Sequence, residues 1–149
     1  MKAVVNGKIV LKNGVLENKV IVFDKKIIDI CDEVPTNCEI IDAKENYVCP
    51  GLIDIHIHGC KGFDAMDEDE NAVEIISKGL AETGVTSFLP TTMTMSPERI
   101  YKAFDNIIKA KNKSIKGAKV LGAHMEGPFI NEKYKGCLLY TSDAADDGE

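Results

Sequence analysis

Pro50-Gly51-Leu52-Ile53-Asp54-Ile55-His56-Ile57-His58-Gly59 reads as a buried strand that ends in two imidazoles one residue apart. Side chains alternate along a strand, so Asp54, His56 and His58 share one face and Ile53, Ile55 and Ile57 the other. Two imidazoles at i and i+2 sit about 7 Å apart at their Cα atoms, close enough to converge on one cation. Three ionisable groups on one face of an otherwise apolar strand are costly without a partner. A metal supplies that partner, because neutral imidazole is a common ligand and Asp54 can orient or support the site. The plainer reading is a pair of surface histidines on an edge strand. The all-isoleucine opposite face and the Pro-Gly lead-in argue against it.

Around this strand, 149 residues with 44% hydrophobic side chains are the length of one ordinary domain with enough apolar material for a core. A formal charge of −6 leaves no basic footprint for nucleic acid. No apolar run approaches the roughly 18 residues of a membrane span. The opening Met1–Gly7 is too poor in apolar residues for a secretory leader and reads as a strand. Five cysteines, an odd count without a Cys-x-x-Cys pair, suggest reduced thiols in a cytoplasmic protein and no thiolate zinc site.

Residues 1–49 hold short β-type runs: Ala3–Val5, Lys8–Leu11, Lys19–Phe23 and Lys26–Ile30. They are broken by Asn6-Gly7, Asn13-Gly14 and Asp24-Lys25, and Asn-Gly between apolar runs is a strong hairpin signal. A small antiparallel β domain is expected there. After Pro50 the pattern becomes strand, helix, strand, helix, strand. Val85–Leu89 and Lys119–Ala123 read as the second and third strands. A helix from Glu70 to Thr83 carries Val73, Ile76 and Leu80 at helical spacing and stops at Gly84. A second helix has Ser96 as N-cap and Pro97 in its first turn, with an expected buried stripe of Ile100, Tyr101, Phe104, Ile107 and Ile108. Such alternation means parallel strands, with functional groups at their C-terminal ends. The histidines, Thr91-Thr92 and Glu126 all fall there.

Glu126 leaves the third strand in Gly122-Ala123-His124-Met125-Glu126-Gly127-Pro128-Phe129 and is followed by a Gly-Pro turn, which can aim its carboxylate into a site. Alone it would read as a turn glutamate in solvent. Beside a His-x-His two strands earlier it reads as a carboxylate ligand. His124 shares its strand parity and reads as a core or supporting imidazole rather than a third ligand. A His/His/Glu set suits Zn, Fe, Mn or Co.

Pro50–Gly59, Leu89-Pro90-Thr91-Thr92, His124–Phe129 and Lys135-Gly136 together resemble the N-acetylglucosamine-6-phosphate deacetylases of the amidohydrolase superfamily. His-x-His after Pro-Gly gives only the superfamily, whereas Glu-Gly-Pro-Phe is more specific to the deacetylases. The resemblance implies a (β/α)8 TIM-type barrel, of which residues 50–136 would be the first β/α units and first three strands. It also implies that residues 1–49 are the N-terminal half of a small β-sandwich. Glu126 would be a metal ligand, with His56 and His58 holding a second divalent cation in members that keep both imidazoles, so one or two metals per active site. The implied reaction converts N-acetylglucosamine 6-phosphate, an N-acetylated amino sugar phosphate, into glucosamine 6-phosphate and acetate in a cytoplasmic homodimer. A general acid/base aspartate and further histidine ligands would lie outside these residues, and the chain by itself is expected to be inactive. Another amidohydrolase, such as a dihydroorotase or adenine deaminase, or a non-catalytic metal- or sugar-binding module, are the alternatives.

In the family, Lys-Gly is followed by a small residue and a substrate-contacting histidine, where this chain has Cys137 and Leu138. From Cys137 onward the chain has no lysine or arginine and four acids (Asp143, Asp146, Asp147 and Glu149). Taking those four from the total of 24 leaves 20 acids against 18 bases, a net charge of −2 for residues 1–136. Cys137–Asp146 also resembles a one-frame translation of a library-preparation adapter. Residues 137–149 are therefore expected to be a non-native tail from adapter read-through.

Overall fold

Short apolar runs separated by turn residues build the first part of the chain in the computed structural model, which describes residues 1–113, 115–136 and 138. The tail expected at 137–149 thus lies outside the described residues except for Leu138. Two compact units divide the chain, Met1–Pro50 and Gly51–Glu149.

In the first unit the strands are β1 (Lys2–Val5), β2 (Lys8–Leu11), β3 (Gly14–Leu16), β4 (Val20–Phe23), β5 (Ile27–Cys31), β6 (Glu39–Asp42) and β7 (Tyr47–Val48). One sheet has the order β5-β4-β1-β6 and the other β3-β2-β7. Neither is purely antiparallel, which corrects the expectation for this region: β1 pairs parallel with β6 and β2 with β7. Of the expected hairpins, Asp24-Lys25 joins β4 to β5, and the turn preceding Gly14 joins β2 to β3. Asn6-Gly7 makes none. It carries the chain from one sheet to the other, with Asn6 at φ 54°. The dipeptide favours a left-handed backbone, and a sheet crossover uses that preference as readily as a hairpin does. Ala3, Val20 and Val22 are buried at the centre of the four-stranded sheet.

The second unit is α/β. Its elements are β8 (Leu52–Ile57), β9 (Gly59–Cys60), β10 (Phe63–Asp64), α1 (Ala72–Ala81), β11 (Val85–Thr92), α2 (Pro97–Asn112), β12 (Lys119–Val120) and β13 (His124–Met125). β11 pairs in parallel with β8 on one side and with β12 and β13 on the other. It outruns the expected strand by three residues, through Pro90 to Thr92, while of the expected third strand only β12 forms and a separate β13 follows it. Phe88, at the centre of β11, is fully buried with Val73, Ile76 and Leu80 of α1 and Ile107 and Ala110 of α2.

Two expectations about burial are corrected here. The isoleucine face of β8 is not buried throughout: Ile57 packs on the core cluster, but Ile53 and Ile55 are 61% and 66% exposed. Both helices pack against β11. In α2 the buried face is Ile100, Ala103, Asn106, Ile107 and Ala110, whereas Tyr101 and Ile108 face solvent. Ala103 and Ala110 share the buried face with Ile100 and Ile107, which places it to one side of the expected stripe. Asn106 is satisfied in part by donating its amide to the carbonyls of Asp67 and Glu68. Lys109, whose pKa is raised by its hydrogen bond to Glu70, ties the same loop to the helix. Ser96 occupies the N-cap with extended backbone, although its hydroxyl makes no capping bond.

Because Phe88 is enclosed by both helices, Phe88→Ala should remove about 3–5 kcal/mol of stability. A urea unfolding series should show it as a lower midpoint, and an unchanged midpoint would contradict this core.

Candidate metal centre

The C-terminal ends of β8, β11 and β13 bring the sequence-predicted ligands together. His56 and His58 leave the end of β8, and Glu126 follows β13. The Nε2 atoms of His56 and His58 lie 2.9 and 3.1 Å from the same oxygen, Oε2 of Glu126. The three ligand atoms fall within 4.8 Å of one another. Donors bound to one tetrahedral zinc at 2.0–2.1 Å stand about 3.4 Å apart, so small side-chain adjustments would bring these three onto one ion.

Proton placement supports the same reading. Nδ1 of His58 lies 3.2 Å from the carbonyl oxygen of Thr91, which only accepts, so the nitrogen donates. Nε2 then faces a second acceptor, the Glu126 carboxylate. A neutral imidazole has one N–H and cannot satisfy both. Either a second ring proton or a cation between Nε2 and the carboxylate resolves the conflict, and the cation leaves the Nδ1 proton on Thr91, the arrangement in which metal-bound histidines are commonly held. The residues present therefore fit a divalent metal. Their side chains are 50% (His56), 35% (His58) and 28% (Glu126) exposed, so the group is open to solute.

The backbone explains why the histidines stand where they do. Gly59 is required after His58, because a Cβ there would lie 2.2 Å from the carbonyl oxygen of Phe63 in the β9–β10 hairpin. That hairpin is fastened to the strand end by the N–H of Ala65 donating to the carbonyl of His58 at 2.7 Å. On the other side, Thr94 donates its hydroxyl to the carbonyl of Glu126 at 3.3 Å. A Cβ on Gly127 would meet that same hydroxyl at 2.0 Å, so the Glu-Gly pair is specified by the close approach of two loops.

Two further residues fall short of ligation. Asp54 accepts the backbone N–H of His56 at 3.1 Å and stays outside the ligand group, so it braces the strand. His124 stacks obliquely on His56, with ring centroids 4.6 Å apart, and its buried Nδ1 has no hydrogen-bond partner among the described residues. Sequence reasoning marked Thr91 only as part of a strand-end motif and did not mark Thr94. Neither hydroxyl's partner follows from residue type, since both depend on strand register.

Residues 47–142 match the Amidohydrolase family, and the chain belongs to it. The N-acetylglucosamine-6-phosphate deacetylase of Bacillus subtilis is 39% identical over 140 residues, a match covering 90% of this chain and 34% of that relative. Its counterpart from Vibrio furnissii is 42% identical over 87 residues, covering 58% of this chain and 22% of that relative. The crystal structure of the N-acetylglucosamine-6-phosphate deacetylase from Pasteurella multocida superposes with a TM-score of 0.84 at 29% identity, over 99% of this chain and 40% of that one. A D-hydantoinase from a Bacillus species shares the fold with a TM-score of 0.59 at 21% identity, over 91% of this chain and 29% of that one. The chain spans about a third of the length of the first curated relatives it matches.

If His56, His58 and Glu126 are the ligands, His58→Ala and Glu126→Gln should each reduce bound metal. The first removes a donor and the second removes the charge that offsets the cation. Elemental analysis of the purified variants measures this, and undiminished metal in both would reject the assignment.

Proposed function

We propose that these residues belong to a metal-dependent deacetylase that converts N-acetylglucosamine 6-phosphate to glucosamine 6-phosphate and acetate. The convergence of two imidazoles and one carboxylate on a single point carries the reading. The 39% identity to the Bacillus subtilis deacetylase supports its substrate. In this reading β8, β11 and β12 are the first three strands of a (β/α)8 barrel, and residues 1–49 form half of a small β-sandwich. The working enzyme is a cytoplasmic homodimer.

His56, His58 and Glu126 would hold a divalent cation, Zn, Fe, Mn or Co. When bound, that cation supplies an activated water and a polarised acetamide carbonyl. The chain's residues divide the remaining work. The imidazoles present neutral nitrogens, and Glu126 contributes the single negative charge. A carboxylate committed to charge compensation cannot also protonate the departing amine, and an amine must be protonated to leave. That proton is assigned to an aspartate outside these residues, in keeping with the family resemblance.

A second reading has one observation behind it. An N-acetylgalactosamine-6-phosphate deacetylase of Escherichia coli is 30% identical over 129 residues, covering 87% of this chain and 34% of that relative. The two sugars differ only in the configuration of one hydroxyl.

Acetate release from both sugar phosphates, assayed on a complete protein carrying residues 1–136, separates these readings. Turnover should be fastest with the gluco epimer, should vanish on chelation and should return with added divalent metal. Preference for the galacto epimer would move the assignment to the second reading. Activity on dihydroorotate or adenine instead would remove the deacetylase assignment altogether.

A further inference from the structure

Pro90 sits inside β11, where it offers no backbone N–H, and the β8–β11 ladder shifts register between Phe88 and Pro90. Just past that irregularity the Thr91 side chain enters the ladder. Its hydroxyl accepts the N–H of Ile57 at 3.0 Å and lies 3.3 Å from the carbonyl of Leu89, to which it donates. One hydroxyl thus bridges a donor of β8 to an acceptor of β11. The bridged residue of β8 is the one between the two histidines. The Thr91 carbonyl meanwhile takes the Nδ1 proton of His58. Thr91 is fully buried, so water cannot replace either bond.

We infer that Thr91 is a positioning residue for the metal site: its hydroxyl clamps the backbone between His56 and His58, and its carbonyl holds the His58 ring with Nε2 turned toward Glu126. This rests on the metal-site reading above. Neighbouring Thr92 supplies the internal contrast, since it is equally buried but its hydroxyl has no partner among the described residues.

The test compares Thr91→Val, Thr91→Ser and Thr92→Val in the full chain loaded with zinc. Zinc affinity is read by competition with a chromogenic chelator, and the His58 Nδ1–H and Ile57 amide by nitrogen-edited NMR and hydrogen exchange. Thr91→Val should weaken zinc binding about 10–100-fold, the usual cost of losing a group that orients a ligand. It should also unprotect the Ile57 amide, while the His58 Nδ1–H, held by the retained backbone carbonyl, should persist. Thr91→Ser, which keeps the hydroxyl, should restore zinc affinity and amide protection, and Thr92→Val should change neither. Unaltered zinc affinity in Thr91→Val would overturn the inference, as would an equal loss in Thr92→Val, which would mean packing alone. Should Thr91→Val fail to fold, the unsubstituted zinc-loaded protein decides: an unprotonated His58 Nδ1 overturns the inference and a slowly exchanging Nδ1–H supports it. His58→Ala and Glu126→Gln keep the two readings apart. Zinc binding untouched by both means the metal site itself is misassigned, whereas binding lost in both but intact in Thr91→Val defeats the positioning role alone.

Discussion

β11 is the strand against which the rest of the second unit is arranged. It pairs with β8 along one edge and with β12 and β13 along the other. Both helices pack on it through Phe88. Burial of an aromatic side chain supplies a large share of the driving force for such a layer, and here it anchors the strand on which the two strand ends that carry His56, His58 and Glu126 are paired. Stability and site geometry are therefore set by the same strand. A shift of β11 by one residue would turn its buried residues outward and would carry the Thr91 and Thr94 contacts away from the metal group.

The charge balance of the group has its own logic. A divalent cation facing two neutral nitrogens and one carboxylate keeps a net positive charge. That residual charge is what polarises a bound oxygen. A second ligating carboxylate would cancel it, and Asp54, the other acid on the same strand face, is engaged instead by the backbone of His56. The parity that puts Asp54 beside the histidines thus places it within reach of the site without making it a ligand.

The clustering of His56 and His58 was legible in the sequence because ionisable side chains at strand spacing in an apolar run are expensive, and the expense demands a partner. Val73, Ile76 and Leu80 were legible because they repeat at the helical period and are all large. The α2 face was misread for the converse reason: Ala103 and Ala110 carry little hydrophobic signal, yet both lie on the buried face. The exposed Ile53 and Ile55 show that alternation reports the two faces of a strand but not whether each face is covered. Asn6-Gly7 announces a backbone conformation rather than the element that follows. The Thr91 bridge was beyond reach altogether, since it arises from a register shift beside Pro90 that exists only once two strands 34 residues apart have paired.

His56 and Glu126 meet across a sequence separation of 70 residues. A cation shared between them would act as a cross-link closing a long loop, and it would exist only in the folded chain, since the unfolded one scatters its ligands. Mass action then couples folding to metal supply: a ligand present at a hundredfold its dissociation constant adds about 2.7 kcal/mol to the native state. That increment is a sizeable fraction of the 5–15 kcal/mol typical of a whole domain. A cell short of the metal would lose folded protein along with the site.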